Sequence, residues 1–179
     1  KVEVIDNHRI SVTMYESVLH AREMSLNGAS AKEIKTALEA DAYNSSIYIT
    51  VNTLEYLKKG GRITPAAALI GTMLSIKPIL TIQGEKLDSY AKARGSMKRA
   101  EEKMILALQS DLEKRFADQD RSKLHIGAAG AGLTTAQQEE WLTLLRNKFP
   151  EADVFYNPLS ASISVHTGPG AVGVGISFR

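Results

Sequence analysis

The strongest constraint on how this chain folds is a pair of adjacent glycines, Gly60 and Gly61, followed by a lone arginine and then an apolar segment rich in small residues. Upstream of them, Ile47, Ile49 and Val51 alternate with Tyr48 and Thr50 at the two-residue period of a strand. Thr53 to Lys59 then places Leu54 and Leu57 at helical spacing, and the glycines stop that helix because glycine tolerates the left-handed backbone of a C-terminal cap. Thr64 and Pro65 restart a helix, with a hydroxyl N-cap ahead of a residue pre-set for the first helical position. Ala66, Ala67, Ala68 and Gly71 leave room along it, while Leu69, Ile70, Met73 and Leu74 line it with hydrocarbon. Lys77-Pro78 closes the helix and Ile79 to Ile82 reads as a strand. Arg62 thus stands at the mouth of an apolar groove, an arrangement that suits a ligand with an anionic head and a hydrocarbon tail. An ordinary core helix packed through its alanines has the same pattern.

The rest of the chain divides at about residue 45. Val2 to Ile5 reads as a strand, and Val12, Tyr15, Val18, Leu19 and Met24 give a helix that stops at Gly28. Ser30 and Glu33 form a capping box for a second helix with Ile34 and Leu38 inward. From Ser46 onward, strands are expected at Ile47 to Asn52, Pro78 to Ile82, Leu87 to Lys92, Leu124 to Gly127, Val154 to Tyr156, Ser162 to Val165 and Val172 to Phe178. Two amphipathic helices lie between them. One carries Met97, Met104, Ile105, Leu108, Leu112 and Phe116; the other starts at a Thr135 and Gln138 capping pattern and carries Trp141, Leu142, Leu145 and Phe149. Methionines at this spacing read as core filler.

At the C-terminal end, the alternating Ser162 to Val165 runs into His166-Thr167-Gly168-Pro169-Gly170. Gly-Pro-Gly demands a turn, and Gly173 and Gly175 in the next strand clear one face for another backbone or a ligand. A histidine at such a strand end can donate a hydrogen bond to an anionic head group, although a hairpin whose histidine is satisfied by backbone carbonyls has the same sequence. Lys92, Arg94, Lys98 and Arg99 form a basic strip at a strand end and helix start, where they oppose the helix dipole.

Composition excludes several classes. Of 179 residues, 44% are apolar and 23% charged, ordinary for a globular protein with a real core. The 22 basic and 20 acidic residues are well mixed, so the net charge of +2 gives no argument for nucleic acid. No apolar run approaches the length of a membrane span. The absence of cysteine excludes disulfides and thiolate metal sites and fits a reducing cytoplasm. His8, His20, His125 and His166 show no metal-ligand spacing, and no serine, histidine and acid have the context of a nucleophile elbow. The glycine-rich run Gly127 to Gly132 departs from the order of a dinucleotide-binding loop.

TLEYLKKGGRI followed by IKPIL resembles the signature of the DegV family of bacterial fatty-acid-binding proteins. The segment Gly84 to Ala100, the C-terminal HTGPGAVGVGISF (His166 to Phe178) and the opening VIDNHRIS (Val4 to Ser11) are similar to the family in the same order. The resemblance implies an α/β fold whose larger part, residues 46–179, is a two-layer mixed β-sheet domain with helices on one face. It implies that residues 1–45 are the tail of a Rossmann-like parallel α/β domain, the missing N-terminal domain of the same protein. It further implies a cytoplasmic, non-enzymatic protein that works in phospholipid metabolism without metal or cofactor and without stable membrane insertion. Such a protein holds a long-chain fatty acid in a cleft between two domains and presents its carboxylate to a fatty acid kinase for acyl-phosphate formation. Arg62 and His166 then bind the carboxylate, Ala66, Leu69, Ile70, Met73, Thr167 and Gly168 line the pocket, and Arg94 docks the kinase, although Gly95-Ser96 departs from the family's Thr-Arg type of continuation. The fold also resembles dihydroxyacetone kinase subunits, and on that alternative His166 binds a small carbonyl substrate.

Overall fold

The computed structural model describes residues 2–68, 76–82 and 86–179. In chain order the elements are α1 (Ser11–Leu26), α2 (Ala31–Ala40), β1 (Ser46–Thr50), α3 (Glu55–Lys59), α4 (Pro65–Ala68), β2 (Ile76–Ile82), β3 (Leu87–Arg94), α5 (Met97–Lys114), β4 (Leu124–Gly130), α6 (Thr135–Lys148), β5 (Asp153–Tyr156), α7 (Ala161–Thr167) and β6 (Val172–Phe178). The six strands form one mixed sheet in the order β3-β2-β1-β6-β4-β5, antiparallel throughout except for the parallel pair β4 and β5.

Strand alternation gives the sheet two unlike faces. Val172, Val174, Ile176 and Phe178 of β6 join Tyr48 and Ile79 in a large core built with Met104, Ile105, Leu108 and Leu112 of α5 and Trp141, Leu142 and Leu145 of α6. The indole N–H of Trp141 donates to the Gly173 carbonyl at 3.1 Å, so burial leaves its one polar atom satisfied. A smaller cluster of Ile49, Val51, Leu54, Leu57, Ile63, Ala67 and Leu80 forms on the opposite face. That opposite face also carries α1. A β-carbon placed on Gly127 would lie 2.3 Å from Val12 Cβ, and one on Gly175 would lie 2.9 Å from side-chain atoms of both Val12 and Thr13. Gly127 of the unassigned glycine-rich run and Gly175 of β6 therefore serve helix-on-sheet approach. The sheet has helices on both faces, α5 and α6 on one and α1, α3 and α7 on the other, which corrects the expectation of helices on one face only.

The reason lies in α1, whose buried residues are Val12, Thr13, Glu16 and Ser17, while Met14, Tyr15 and Val18 face outward. Its inward stripe is small and polar, so apolar periodicity picked out the wrong side. Glu16 accepts from Arg179 Nε at 2.9 Å, and Arg9, also buried, reaches Asp41 at the end of α2 at 2.6 Å. Three other expectations change. Residues 2–10 form no strand, and Val2 and Val4 are exposed. The capping box of α6 is Thr134 with Gln137, one position ahead of the expected pair. Ser162 to Val165 lies inside helix α7, because Leu159, Ile163 and Thr167 recur at the four-residue helical spacing within what reads as alternation. The Ser30 and Glu33 box forms as expected.

Beneath α5, the buried Asp111 carboxylate accepts from Ser46 Oγ at 2.5 Å and Tyr48 Oη at 2.7 Å, tying the middle of the sheet to the helix. Asp111→Ala leaves two buried hydroxyls without an acceptor and is expected to lower stability by about 2 kcal/mol; an unshifted urea midpoint contradicts this. Burial and the bond to Asp111 push the Tyr48 hydroxyl well above its ordinary range. Its contribution is complete below the unfolded value near pH ~10 and is lost as pH rises beyond it. Tyr48→Phe is expected to shallow the alkaline fall in stability seen by denaturant titration.

Candidate functional site

The α3 to α4 junction shows why two glycines are needed. Gly61 takes φ 65°, while the Gly61 amide donates to Lys58 and the Arg62 amide to Leu57, the paired bonds of a Schellman C-cap. Gly60 has an ordinary φ of −80° and a different task. A β-carbon there would fall 2.2 Å from Nδ1 of His166, so the imidazole lies directly on the Gly60 backbone. A second ring rests on a second glycine, because a β-carbon on Gly168 would fall 2.5 Å from the Tyr56 ring. These two contacts lock α3 to α7.

Arg62 leaves this junction with its backbone fixed on both sides. Its carbonyl accepts from the Leu87 amide at 3.1 Å, and Ile63 bridges Leu87 beside it. One guanidinium nitrogen donates to the Gly60 carbonyl at 2.8 Å, which holds the head near the glycine that carries His166. Thr64 accepts from the Ala67 amide at 3.2 Å as the N-cap of α4 and donates to Asp88 at 2.7 Å, holding the Asp88 carboxyl below its usual range.

Next to this junction, on the sheet face away from α5, is a cavity of about 370 Å³. Ile47 and Ile49 of β1, Leu57 of α3 and Gly173 of β6 border it, as do Ile82 and Leu87 of β2 and β3. Ser162, Ile163, His166 and Thr167 contribute one face of α7, Leu159 the segment before it, and Ile10, Ser11 and Val12 the start of α1. Arg62 completes the lining. The volume falls within the range of small-molecule pockets, and the mostly hydrocarbon lining with a few polar groups is their usual character.

The structure thus brings Arg62, His166 and Thr167 to one cavity. Arg62 is exposed, His166 half-buried and Thr167 buried. Gly168 is buried beneath Tyr56 instead of bordering the cavity, and Ala66 is exposed on α4, where Ala67 is the inward residue. Leu69, Ile70 and Met73 lie outside the described residues. Arg94 is exposed at the end of β3, apart from the cavity lining. The Gly95-Ser96 departure has a local role, since Gly95 turns the chain at φ 100° and Ser96 caps α5 through the Arg99 amide. Sequence reasoning missed the contributions of α1 and β1. The alternation of Ile47 and Ile49 was the available signal for β1, whereas nothing in Ile10-Ser11-Val12 marks a cavity wall. Among the described residues no cluster of three His, Cys, Asp or Glu side chains could hold a metal ion, and no helix is long and apolar enough to cross a membrane.

A DegV domain-containing protein of Deinococcus radiodurans is 33% identical over 179 residues, covering 98% of this chain and 60% of its own length. A fatty acid-binding protein of Thermotoga maritima is 34% identical over 158 residues, covering 87% of this chain and 52% of its own. The solved structure of a DegV family protein from Thermus thermophilus, described by its fatty acid binding, superposes with a TM-score of 0.82 at 29% identity, covering 100% of this chain and 61% of that one. This chain therefore spans about 60% or less of the length of these relatives. The family model described as "Uncharacterised protein, DegV family" matches residues 1–179, and the chain belongs to the DegV family.

Proposed function

We propose that this chain binds a long-chain fatty acid, with the acyl tail in the cavity between α1, α7 and the sheet and the carboxylate at Arg62 and His166. The observation that supports this reading is the placement of both side chains on the border of one mainly apolar cavity. Burying an acyl tail contributes roughly 0.8 kcal/mol per methylene, so a tail of about sixteen carbons supplies on the order of 10 kcal/mol before ordering costs. A carboxylate desolvated without partners would cancel much of that, so the polar groups act mainly by removing a penalty and fixing orientation. Arginine offers a fork of donors to the two oxygens and histidine adds one more.

Arg62→Ala and His166→Ala are each expected to weaken palmitate binding by about tenfold or more, because a hydrogen bond to a charged group is worth about 1.5–3 kcal/mol; the circular-dichroism melt stays unchanged in Arg62→Ala and falls in His166→Ala, which also removes the ring packed on Gly60. Titration calorimetry reads the affinity. Wild-type affinity in both variants would remove these residues from the site.

Because the chain spans about 60% of its relatives' length, we further propose that residues 46–179 form the lipid-binding domain and that residues 1–45 join it to a second unit that closes the cavity. If half the methylenes stay wet in the chain alone, roughly 6 kcal/mol of burial is lost, or about four orders of magnitude in affinity. Palmitate is accordingly expected to bind the 179-residue chain far more weakly than a full-length relative such as the Thermotoga maritima protein. Equal dissociation constants would place the whole pocket inside this chain.

The closed complex would hand its carboxylate to a fatty acid kinase, with the exposed Arg94 on the docking surface. Arg94→Glu is expected to lower kinase-dependent acyl-phosphate formation with fatty-acid affinity unchanged, since reversing a rim charge acts on encounter. Parallel loss of both would give Arg94 a role in the fold or pocket instead.

A further inference from the structure

Thr167 follows His166 in the last turn of α7, is 3% exposed and borders the cavity shared with Arg62. Its hydroxyl oxygen is buried and has no hydrogen-bond partner. Such a hydroxyl is a net loss to a fold compared with a methyl group of the same shape, so packing alone would favour valine here. Threonine branches at Cβ, and one χ1 step carries its hydroxyl to the place its methyl group held. That step breaks no hydrogen bond, because the hydroxyl makes none.

The same cavity is bordered by the start of α1. No side chain caps this 16-residue helix, and its first turn contains no acidic residue. The first turn of a helix presents amide donors and the positive end of the macrodipole. Ser11 holds the left-handed φ of 54° at this point, a conformation that serine rarely adopts. A buried donor without a partner and an uncapped helix start therefore border one cavity with a guanidinium.

We propose that the Thr167 hydroxyl and the first amides of α1 donate hydrogen bonds to the carboxylate of the acyl ligand, extending the head-group site beyond Arg62 and His166. This rests on the fatty-acid reading above. In the ligand-free chain the hydroxyl is a stored cost; in the complex it gains a partner, and the ligand receives a neutral donor beside the charged one. The helix start adds donors whose direction is fixed by the backbone.

Thr167→Val separates this role from a structural one, because the two predict opposite signs. The urea midpoint of the ligand-free variant is expected to stay level or rise, while its affinity for [1-13C]decanoate, followed by the carboxyl NMR shift, falls about tenfold. Affinity for decanol, which has the same tail without the carboxylate, is expected to be unchanged, and Thr167→Ser to restore decanoate binding. Ser11→Asp places a competing carboxylate at the helix start and is expected to weaken decanoate while sparing decanol. Wild-type decanoate affinity in Thr167→Val, equal losses of decanoate and decanol, or a lower urea midpoint would each overturn the role of Thr167. Unchanged decanoate affinity in Ser11→Asp would overturn that of α1. A wild-type chain that does not prefer decanoate to decanol would overturn the fatty-acid reading itself. A preference that is lost in Arg62→Ala but kept in Thr167→Val would overturn only the present extension.

Discussion

Two rings resting on two glycines set the geometry of this site. His166 lies on Gly60 and Tyr56 on Gly168, each at a separation that a β-carbon would occupy. Contacts this close fix α7 against α3 to within the size of a methyl group, since packed interiors do not yield smoothly. Arg62 then inherits its position from the same glycine, through the bond of its guanidinium to the Gly60 carbonyl. An arginine on a flexible loop would lose side-chain entropy on meeting an anion; here part of that ordering is complete before any ligand arrives.

The sheet carries this arrangement because its two faces do different work. The α5 and α6 face is a dense hydrocarbon core in which Trp141 and Tyr48 each find a hydrogen-bond partner. On the other face, the contacts beneath α1 are small or polar: Gly127 and Gly175 against Val12, and Glu16 with Arg179. Less hydrocarbon is buried beneath α1 than beneath α5, and the cavity occupies the space beside it. A sheet covered equally on both faces would have closed over that space.

The elements legible in the sequence were those in which local chemistry and packing agree. Ser30 with Glu33, the Gly60-Gly61 stop, the Thr64 cap and the long stripe of α5 all follow from rules acting within a few residues. The local patterns GGRI and HTGPG drew attention to Arg62 and His166, which border one cavity. What sequence reasoning missed was set by partners distant in the chain. The polar inner face of α1 makes sense only beside Arg179 and the glycines of β4 and β6, more than 100 residues away. In α7, Ser162 to Val165 alternates as a strand would, and the sheet decides the outcome because β6 already has β1 and β4 on its two edges. No edge of β6 remained for a hairpin partner.

Departures from local rules are not spread evenly over the molecule. The N-termini of α2 and α6, outside the cavity lining, have complete capping boxes. The start of α1, which borders the cavity, has no side-chain cap and begins with Ser11 in a left-handed conformation. Thr167, on the same border, is one of three described residues with a buried side-chain oxygen or nitrogen lacking a hydrogen-bond partner. Each departure destabilises the free chain, and strain of this kind persists where the surrounding structure fixes it and tends to collect at sites of function. Thr167 and the start of α1 border the same cavity as Arg62, and the rest of its lining is mostly hydrocarbon.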